Sequence, residues 1–250
     1  MVGFKLDTSI FGPYSGTEII QRCLAEFLGT FLLVFLGCMA TGFEYIMPHV
    51  TTFFELSCFN FGLAVMIPVL IFGHISQCNI NPAVSLTLAI INVLKPAMAV
   101  LYVICQCLGA ITGYSVLYGL TPMFHGKTVC VTMVHKDLNV YAGMAMEAIA
   151  TAVLCFVVCG VFDKRNKGNT DATALKFGFT VAGIAIAEAP WTGTSLNPAR
   201  SLGPALVTGY WKDHWVYWVG PLAGSIFAAG IYRFVFFIPP PPKETPSDEA

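Results

Sequence analysis

Six apolar stretches, each close to the length of a membrane helix, most constrain how this chain can fold. They lie at about 23–43, 53–73, 97–119, 142–162, 174–190 and 215–238, and the fifth is the least hydrophobic. A helix needs about 20 apolar residues to cross the hydrocarbon core of a bilayer, where it also satisfies its own backbone hydrogen bonds. Only 11% of the residues are charged, against roughly 25% in soluble domains. The sequence therefore predicts an all-α membrane protein with six transmembrane helices.

The basic residues predict how these helices are oriented. Because six is an even number, both termini lie on one side of the membrane, and Lys and Arg are enriched in cytoplasmic loops. Nine basic residues fall on the side of the termini and three on the other; they are Lys5, Arg22, Lys95, Lys164, Arg165, Lys167, Lys176, Arg233 and Lys243, against Lys127, Lys136 and Lys212. We therefore expect a multi-pass protein of the plasma membrane with both termini in the cytoplasm. The formal net charge of −1 predicts no nucleic-acid partner, which would require a basic patch.

Two shorter apolar segments, at about 81–91 and 197–207, indicate an inverted repeat. Each begins with the same three residues, as Asn81-Pro82-Ala83 and as Asn197-Pro198-Ala199. Asparagine caps a helix start, proline suits the first turn, and ten helical residues rise about 15 Å, half of the roughly 30 Å hydrocarbon core. Since each half of the chain holds three spans, an odd number, the second copy enters the membrane inverted. The sequence predicts two re-entrant half-helices that meet at mid-membrane.

The junction of these half-helices predicts a pore. Helix N-termini carry partial positive charge, and the side chains of Asn81 and Asn197 can donate N–H groups to a passing molecule. Such a junction admits neutral molecules and repels hydronium and other cations. The irregular segments expected before the half-helices, Gly73–Ile80 and Pro190–Leu196, have carbonyl groups that are costly in lipid but favourable along a water-filled path. The carbonyls predicted to line the pore are those of Gln77, Cys78, Asn79, Gly193, Thr194 and Ser195.

Motifs around these segments resemble the aquaporin (major intrinsic protein) superfamily, from residue 20 to about 238. The residues that carry the resemblance are Gly73-His74-Ile75-Ser76, Thr192-Gly193, Asn197-Pro198-Ala199-Arg200-Ser201 and Trp218-Val219-Gly220-Pro221. The resemblance implies the aquaporin fold and a homotetramer with a separate pore in each subunit. It also implies that Glu26 and Glu147, at equivalent places in the two halves, hydrogen-bond the loops before the half-helices. His74 is expected to brace one loop, with pH sensing as the alternative.

Three regions follow from this assignment. Residues 1–18 are expected to form a cytoplasmic N-terminal segment, and residues 239–250 a proline-rich cytoplasmic tail. Residues 19–238 are expected to form the channel domain, with its first repeat at 19–120 and its second at 140–238.

Arg200 directly follows the second Asn-Pro-Ala, and a charge at this depth normally marks a permeation pathway. The resemblance places a selectivity filter at Phe61, Ala185, Thr194 and Arg200. Water-selective aquaporins are alike in having histidine where this chain has Ala185. A methyl group there, with Phe61, forms an apolar wall that suits the carbon side of glycerol, opposite donors and carbonyls that suit its hydroxyls. Glycerol facilitators are alike in having aspartate where this chain has Ser201, so the combination is similar to the insect glycerol-permeable aquaporins, the entomoglyceroporins.

These features predict a passive channel for water, glycerol and urea that excludes protons and ions and uses no cofactor or metal. Two alternatives stay open: a strictly water-selective aquaporin, and a junctional membrane protein with a poorly conducting pore. An enzyme is not expected, because the sequence shows no metal cluster, nucleophile–base set or phosphate loop.

Two further features are ambiguous in the sequence. Cysteines inside apolar stretches, Cys38 among them, are interpreted as small packing residues. Only Cys130 falls in a long polar connection. We therefore expect no disulfide. Glu188 lies three residues after Ala185 and so near the same helical face. It is expected either at the outer mouth of the pore or simply in solvent.

Overall fold

The structure is a computed structural model that describes residues 8–46, 49 and 53–236. Residues 1–7 of the predicted N-terminal segment and the whole predicted tail at 239–250 lie outside the described residues. The helices are α1 Gly16–Thr41, α2 Phe43–Ile46, α3 Phe53–Ser76, α4 Pro82–Ile90, α5 Pro96–Leu120, α6 Val140–Phe162, α7 Thr173–Thr192, α8 Pro198–Thr208 and α9 Val216–Ile231, which a π-helical turn at Tyr232–Phe236 continues.

The predicted all-α membrane architecture is confirmed. Among the described residues, α1, α3, α5, α6 and α9 with its π turn are long and apolar enough to cross a membrane. The sixth long helix, α7, has 20 residues and includes Lys176 and Glu188, which lower its hydropathy. The remaining helices α4 and α8 have 9 and 11 residues, so each reaches about halfway through the hydrocarbon core.

The packing repeats between the halves. Helix α1 packs on α5 in the first half as α6 packs on α9 in the second, while α3 and α7 pack against each other across the two halves. Each half-helix packs against a long helix of the other half of the chain. Helix α4 packs against α9, and α8 packs against α5. Each half-helix is thus enclosed by long helices, and its irregular approach segment is kept away from lipid.

Two glycines allow the closest helix crossings. A β-carbon at Gly109 of α5 would overlap the carbonyl oxygen of Phe27 in α1, and one at Gly224 of α9 would overlap the carbonyl oxygen of Ala148 in α6. The overlapping atoms are backbone, so a side-chain rotation cannot relieve the clash. These positions are equivalent in the two repeats, and small residues at such crossings let membrane helices approach closely.

We expect alanine at Gly109 or Gly224 to lower stability by about 1–3 kcal/mol, the usual cost of overpacking. The matched controls are Gly119→Ala in α5 and Gly230→Ala in α9, where a β-carbon would meet no atom within 4 Å. Thermal unfolding in detergent, followed by size-exclusion chromatography, measures the difference. Equal unfolding temperatures for all four variants would show that these crossings do not limit stability.

The structure corrects the predicted segments before the half-helices. Helix α3 continues through Gly73 to Ser76, and α7 continues through Pro190 to Thr192. The helices end where the backbone turns left-handed, at Gln77 with φ 71° and at Gly193 with φ 82°, which is a common way for a helix to terminate. The irregular segments are therefore 77–80 and 193–196, shorter than the predicted Gly73–Ile80 and Pro190–Leu196.

Candidate functional site

The two Asn-Pro-Ala motifs meet through a reciprocal pair of hydrogen bonds. Asn81 donates from Nδ2 to the carbonyl oxygen of Leu196 at 2.8 Å, and Asn197 donates from Nδ2 to that of Ile80 at 2.7 Å. Each asparagine also caps its own helix, because its Oδ1 accepts from the backbone N–H of the second residue after it, Ala83 or Ala199. An amide nitrogen has two hydrogens, so each side chain keeps one N–H that the other half-helix does not use.

A buried glutamate holds each approach segment. In the first half, Glu26 accepts from the backbone N–H of Asn79 at 2.9 Å and of Ile80 at 2.7 Å. It also accepts from Ser76 Oγ at 2.6 Å and from Gln106 Nε2 at 2.8 Å. The Glu26 side chain that accepts these four hydrogen bonds is fully buried.

The second half repeats this arrangement. Glu147 is fully buried and accepts from the backbone N–H of Ser195 at 2.8 Å and of Leu196 at 2.9 Å, and from Thr192 Oγ1 at 2.8 Å. A tyrosine secures the end of the preceding helix in both halves. Tyr102 donates to the carbonyl of Ser76, and Tyr217 donates to that of Thr192. Each carboxylate thus fixes the backbone that leads to a capping asparagine.

A cavity of about 430 Å³ runs past this junction. Its wall extends from Phe162, at the end of α6, to Phe53, at the start of α3, and these positions lie toward opposite faces of the membrane. Asn81 and Asn197 both line it. The free N–H of each asparagine therefore faces an open path rather than packed side chains.

The six residues whose carbonyls we predicted to line a pore all lie on this wall: Gln77, Cys78, Asn79, Gly193, Thr194 and Ser195. Left-handed backbone recurs in both segments, with φ 48° at Cys78 and 47° at Thr194. Such residues cost about 1–3 kcal/mol and persist only where surrounding contacts impose them, and here the two glutamates impose them. No described residue donates a hydrogen bond to these six carbonyls, so they can accept from a molecule in the cavity.

The four residues predicted as a filter also line the cavity. Arg200 is 5% exposed, donates from Nη1 to the carbonyl of Cys130 at 2.8 Å, and lies with Cζ 4.5 Å from the ring centre of Phe61. Phe61 is held by α1, where Gly37 leaves space for its ring. Ala185 of α7 contributes only a methyl group and is 3% exposed. The wall here thus combines the polar groups of Arg200 and Thr194 with the apolar side chains of Phe61 and Ala185.

Ser201 supports the residues around Arg200 through hydrogen bonds. Its hydroxyl accepts from Thr132 Oγ1 at 2.9 Å and lies 2.6 Å from Ser195 Oγ. Ser195 Oγ in turn donates to the carbonyl of Asn197. Sequence reasoning missed Thr132 and the carbonyl of Cys130, since both lie in the connection between α5 and α6, whose path no sequence signal specifies.

His74 and Glu188 lie elsewhere than on the cavity wall. His74 is exposed and makes no hydrogen bond to a described residue, so its predicted bracing role stays a prediction. Glu188 is only 5% exposed, and its Oε1 lies 2.9 Å from Thr192 Oγ1, whose single hydrogen it shares with Glu147. Neither position that we expected for Glu188, at the mouth or in solvent, agrees with this burial.

The expectation that no cysteines pair is wrong. Cys38 and Cys130 form a disulfide across a sequence separation of 92 residues, with their Cα atoms 5.3 Å apart. Cys38 lies near the end of α1, and the connection between α5 and α6 folds back over it. Hydropathy correctly indicated that Cys38 is buried, but burial carries no information about a partner so distant in sequence.

Residues 14–232 match the family described as Major intrinsic protein. Aquaporin-4 of Mus musculus is 40% identical over 216 residues, which are 85% of this chain and 66% of that protein, and aquaporin-2 of Bos taurus is 37% identical over 220 residues, which are 88% and 80%. The X-ray structure of the aquaglyceroporin from Plasmodium falciparum is similar with a TM-score of 0.80 and 29% identity, over 87% of this chain and 97% of that chain. The chain spans slightly less than two thirds of the length of the aquaporin-4 relatives.

Proposed function

This chain belongs to the major intrinsic protein family, and we propose that it is a passive membrane channel for water and small uncharged solutes, glycerol and urea among them. The observation that carries the proposal is the mixed polar and apolar lining of the cavity. Ala185 and Phe61 present carbon, while Arg200 and the carbonyls of Gly193 and Thr194 present donors and acceptors. Glycerol combines the same two kinds of surface, with carbons along one edge and hydroxyls along the other. The aquaglyceroporin of similar fold supports this assignment.

Exclusion of protons and ions is part of the proposal. The N-termini of α4 and α8 both point at the junction, where their partial positive charge opposes cations. A water molecule between Asn81 and Asn197 accepts from both side chains, so it cannot hand a proton along a chain of waters. Arg200 adds a full positive charge at a second level of the same path.

We further propose a homotetramer in the plasma membrane with both termini cytoplasmic, organised as the channel domain at 19–238 between two cytoplasmic segments. Exposed apolar side chains on the outer surface support contact with lipid or with other subunits, including Leu70 at 64%, Ile149 at 68% and Phe227 at 59% exposure. The combination of Ala185 with Ser201 supports the entomoglyceroporin subtype. Because every step is binding and diffusion, the proposal includes no enzymatic activity.

Proteoliposomes test the proposal directly. The purified protein is reconstituted, and light scattering follows vesicle volume after mixing with sucrose and, separately, with glycerol. We expect sucrose to cause shrinkage faster than in empty liposomes, and glycerol to cause shrinkage followed by accelerated re-swelling as the solute enters. The same shrinkage and re-swelling measurement with urea in place of glycerol tests the second solute.

Each alternative predicts another outcome. Fast shrinkage with re-swelling at the rate of empty liposomes would identify a strict water channel and reject the polyol proposal. Shrinkage no faster than in empty liposomes, with folded protein present in the vesicles, would favour a junctional protein with a poorly conducting pore.

A further inference from the structure

The guanidinium of Arg200 is oriented by one backbone carbonyl. Among the described residues, its side chain donates a hydrogen bond only to the carbonyl of Cys130, at 2.8 Å, and its buried Nε has no partner. Phe61 contacts its face and fixes no donor direction. Arg200 lines the cavity, so the direction in which its guanidinium presents N–H groups there depends on where the Cys130 carbonyl lies.

Cys130 needs to be held in place. It has φ 63°, a conformation that surrounding contacts must impose, and it lies in the connection 121–139, which has no helix longer than the three-residue turn Pro122–Phe124. Hydrogen bonds secure both sides of it, and the Val131 N–H closes a turn around it by donating to the carbonyl of Thr128 at 3.2 Å. Tyr114 donates to the carbonyl of Val129 at 2.6 Å, and Thr132 donates to Ser201 at 2.9 Å.

The disulfide is the covalent contact of Cys130 itself. It joins this residue to Cys38, near the end of the membrane-spanning helix α1. Both cysteines are nearly inaccessible, at 0% and 8% exposure, and Cys130 lines the cavity. The bond thus connects a rigid helix to the residue whose carbonyl orients Arg200.

We propose that the Cys38–Cys130 disulfide is a positioning element of the solute filter. It holds the Cys130 carbonyl against Arg200, and its loss loosens the constriction without closing the pore. The inference rests on the proposed function, since it concerns how that filter selects. Disulfides persist in oxidising compartments, which agrees with a connection on the outer side of the membrane.

Serine variants test this positioning role, because Cys38→Ser and Cys130→Ser remove the disulfide while residue 130 still has a backbone carbonyl group. In proteoliposomes, we expect the permeability to a four-carbon polyol, relative to glycerol, to rise roughly two- to tenfold, the size expected from losing one hydrogen bond. Water permeability per folded channel should stay within about twofold, a change under 0.5 kcal/mol. A purely structural role would lower all permeabilities together and leave their ratio unchanged.

Reduction of the wild-type protein gives the same test without a variant that must fold. Dithiothreitol transfers two electrons and two protons to the disulfide, which leaves two thiols and a cyclic disulfide of the reagent. The polyol ratio should rise in the wild type and stay unchanged in the Cys38→Ser/Cys130→Ser variant. In an Arg200→Val background, the serine substitutions should not change the ratio further, since the positioned group is gone.

Three results would overturn the inference. One is an unchanged ratio after complete reduction, another is an equal effect of the serines with and without Arg200, and the third is finding Cys38 and Cys130 as free thiols by mass spectrometry of the alkylated protein. A wild type that passes water but no glycerol would refute the proposed function instead. The disulfide would then be tested by cation conductance in planar bilayers, which should rise on reduction if Arg200 is released.

Discussion

Replacing Ala185 with histidine is expected to reduce glycerol permeability at least about tenfold, equivalent to roughly 1.4 kcal/mol of added barrier. Ala185 is a buried residue of the cavity wall that Arg200 also lines, and its side chain is only a methyl group. An imidazole at this position fills the space beside Phe61 and replaces the apolar contact that the carbons of glycerol require. Water is smaller and accepts either surface, so its permeability should fall by no more than about threefold, under 1 kcal/mol.

The matched control is Ala187→His, the same substitution two residues further along α7. Ala187 is exposed and does not line the cavity, so the ratio of glycerol to water permeability should match that of the wild type. Both ratios are measured in proteoliposomes with equal amounts of folded protein. A proportional loss of both permeabilities in Ala185→His, or no loss at all, would show that Ala185 is not in the constriction.

The half-helices could be predicted from sequence because their signals are local and occur twice. Asn81 and Asn197 each precede proline at the start of a short apolar run, and these residues favour a capped helix start wherever they occur. The structure begins α4 at Pro82 and α8 at Pro198. Duplication also relates Glu26 to Glu147, so the same role, hydrogen bonding to the loop before a half-helix, could be predicted for both.

Features that depend on the path of a long connection could not be predicted. Residues 121–139 carry no periodic pattern, so the sequence did not indicate that Cys130 returns to Cys38 or that its carbonyl receives Arg200. The motifs that carry the family resemblance lie outside this connection, so they did not predict the contact either.

Glu188 shows the limit of helical spacing as an argument. A separation of three residues places it about 60° around α7 from Ala185, since each residue turns the helix by about 100°. That rotation is enough to move a side chain from the cavity wall to the contact with α6, where Thr192 and Glu147 surround it. The spacing alone could not distinguish these two surroundings.

Glutamine at Glu147 is expected to lower stability by at least about 2 kcal/mol, whereas glutamine at Glu188 should cost less than about 0.5 kcal/mol. At Glu147, Oε1 accepts from the Ser195 N–H and Oε2 accepts from the Leu196 N–H. A glutamine there must direct its NH2 at one of these donors, which leaves a buried N–H without an acceptor beside a second donor. The segment 193–196 would lose its left-handed backbone and close or distort the path.

Glu188 differs because its second oxygen, Oε2, has no hydrogen-bond partner among the described residues. The NH2 of a glutamine can occupy that position without meeting a donor, while the other oxygen keeps its place 2.9 Å from Thr192 Oγ1, whose single hydrogen is shared with Glu147. Glu26→Gln provides the repeat-equivalent comparison and should be as harmful as Glu147→Gln, since both oxygens of Glu26 accept from backbone N–H groups. Thermal unfolding in detergent and water permeability of reconstituted protein rank the three variants. If Glu188→Gln were as damaging as the other two, the carboxyl groups of Glu147 and Glu188 would act as one unit. Support of the segment before α8 could then not be assigned to Glu147 alone.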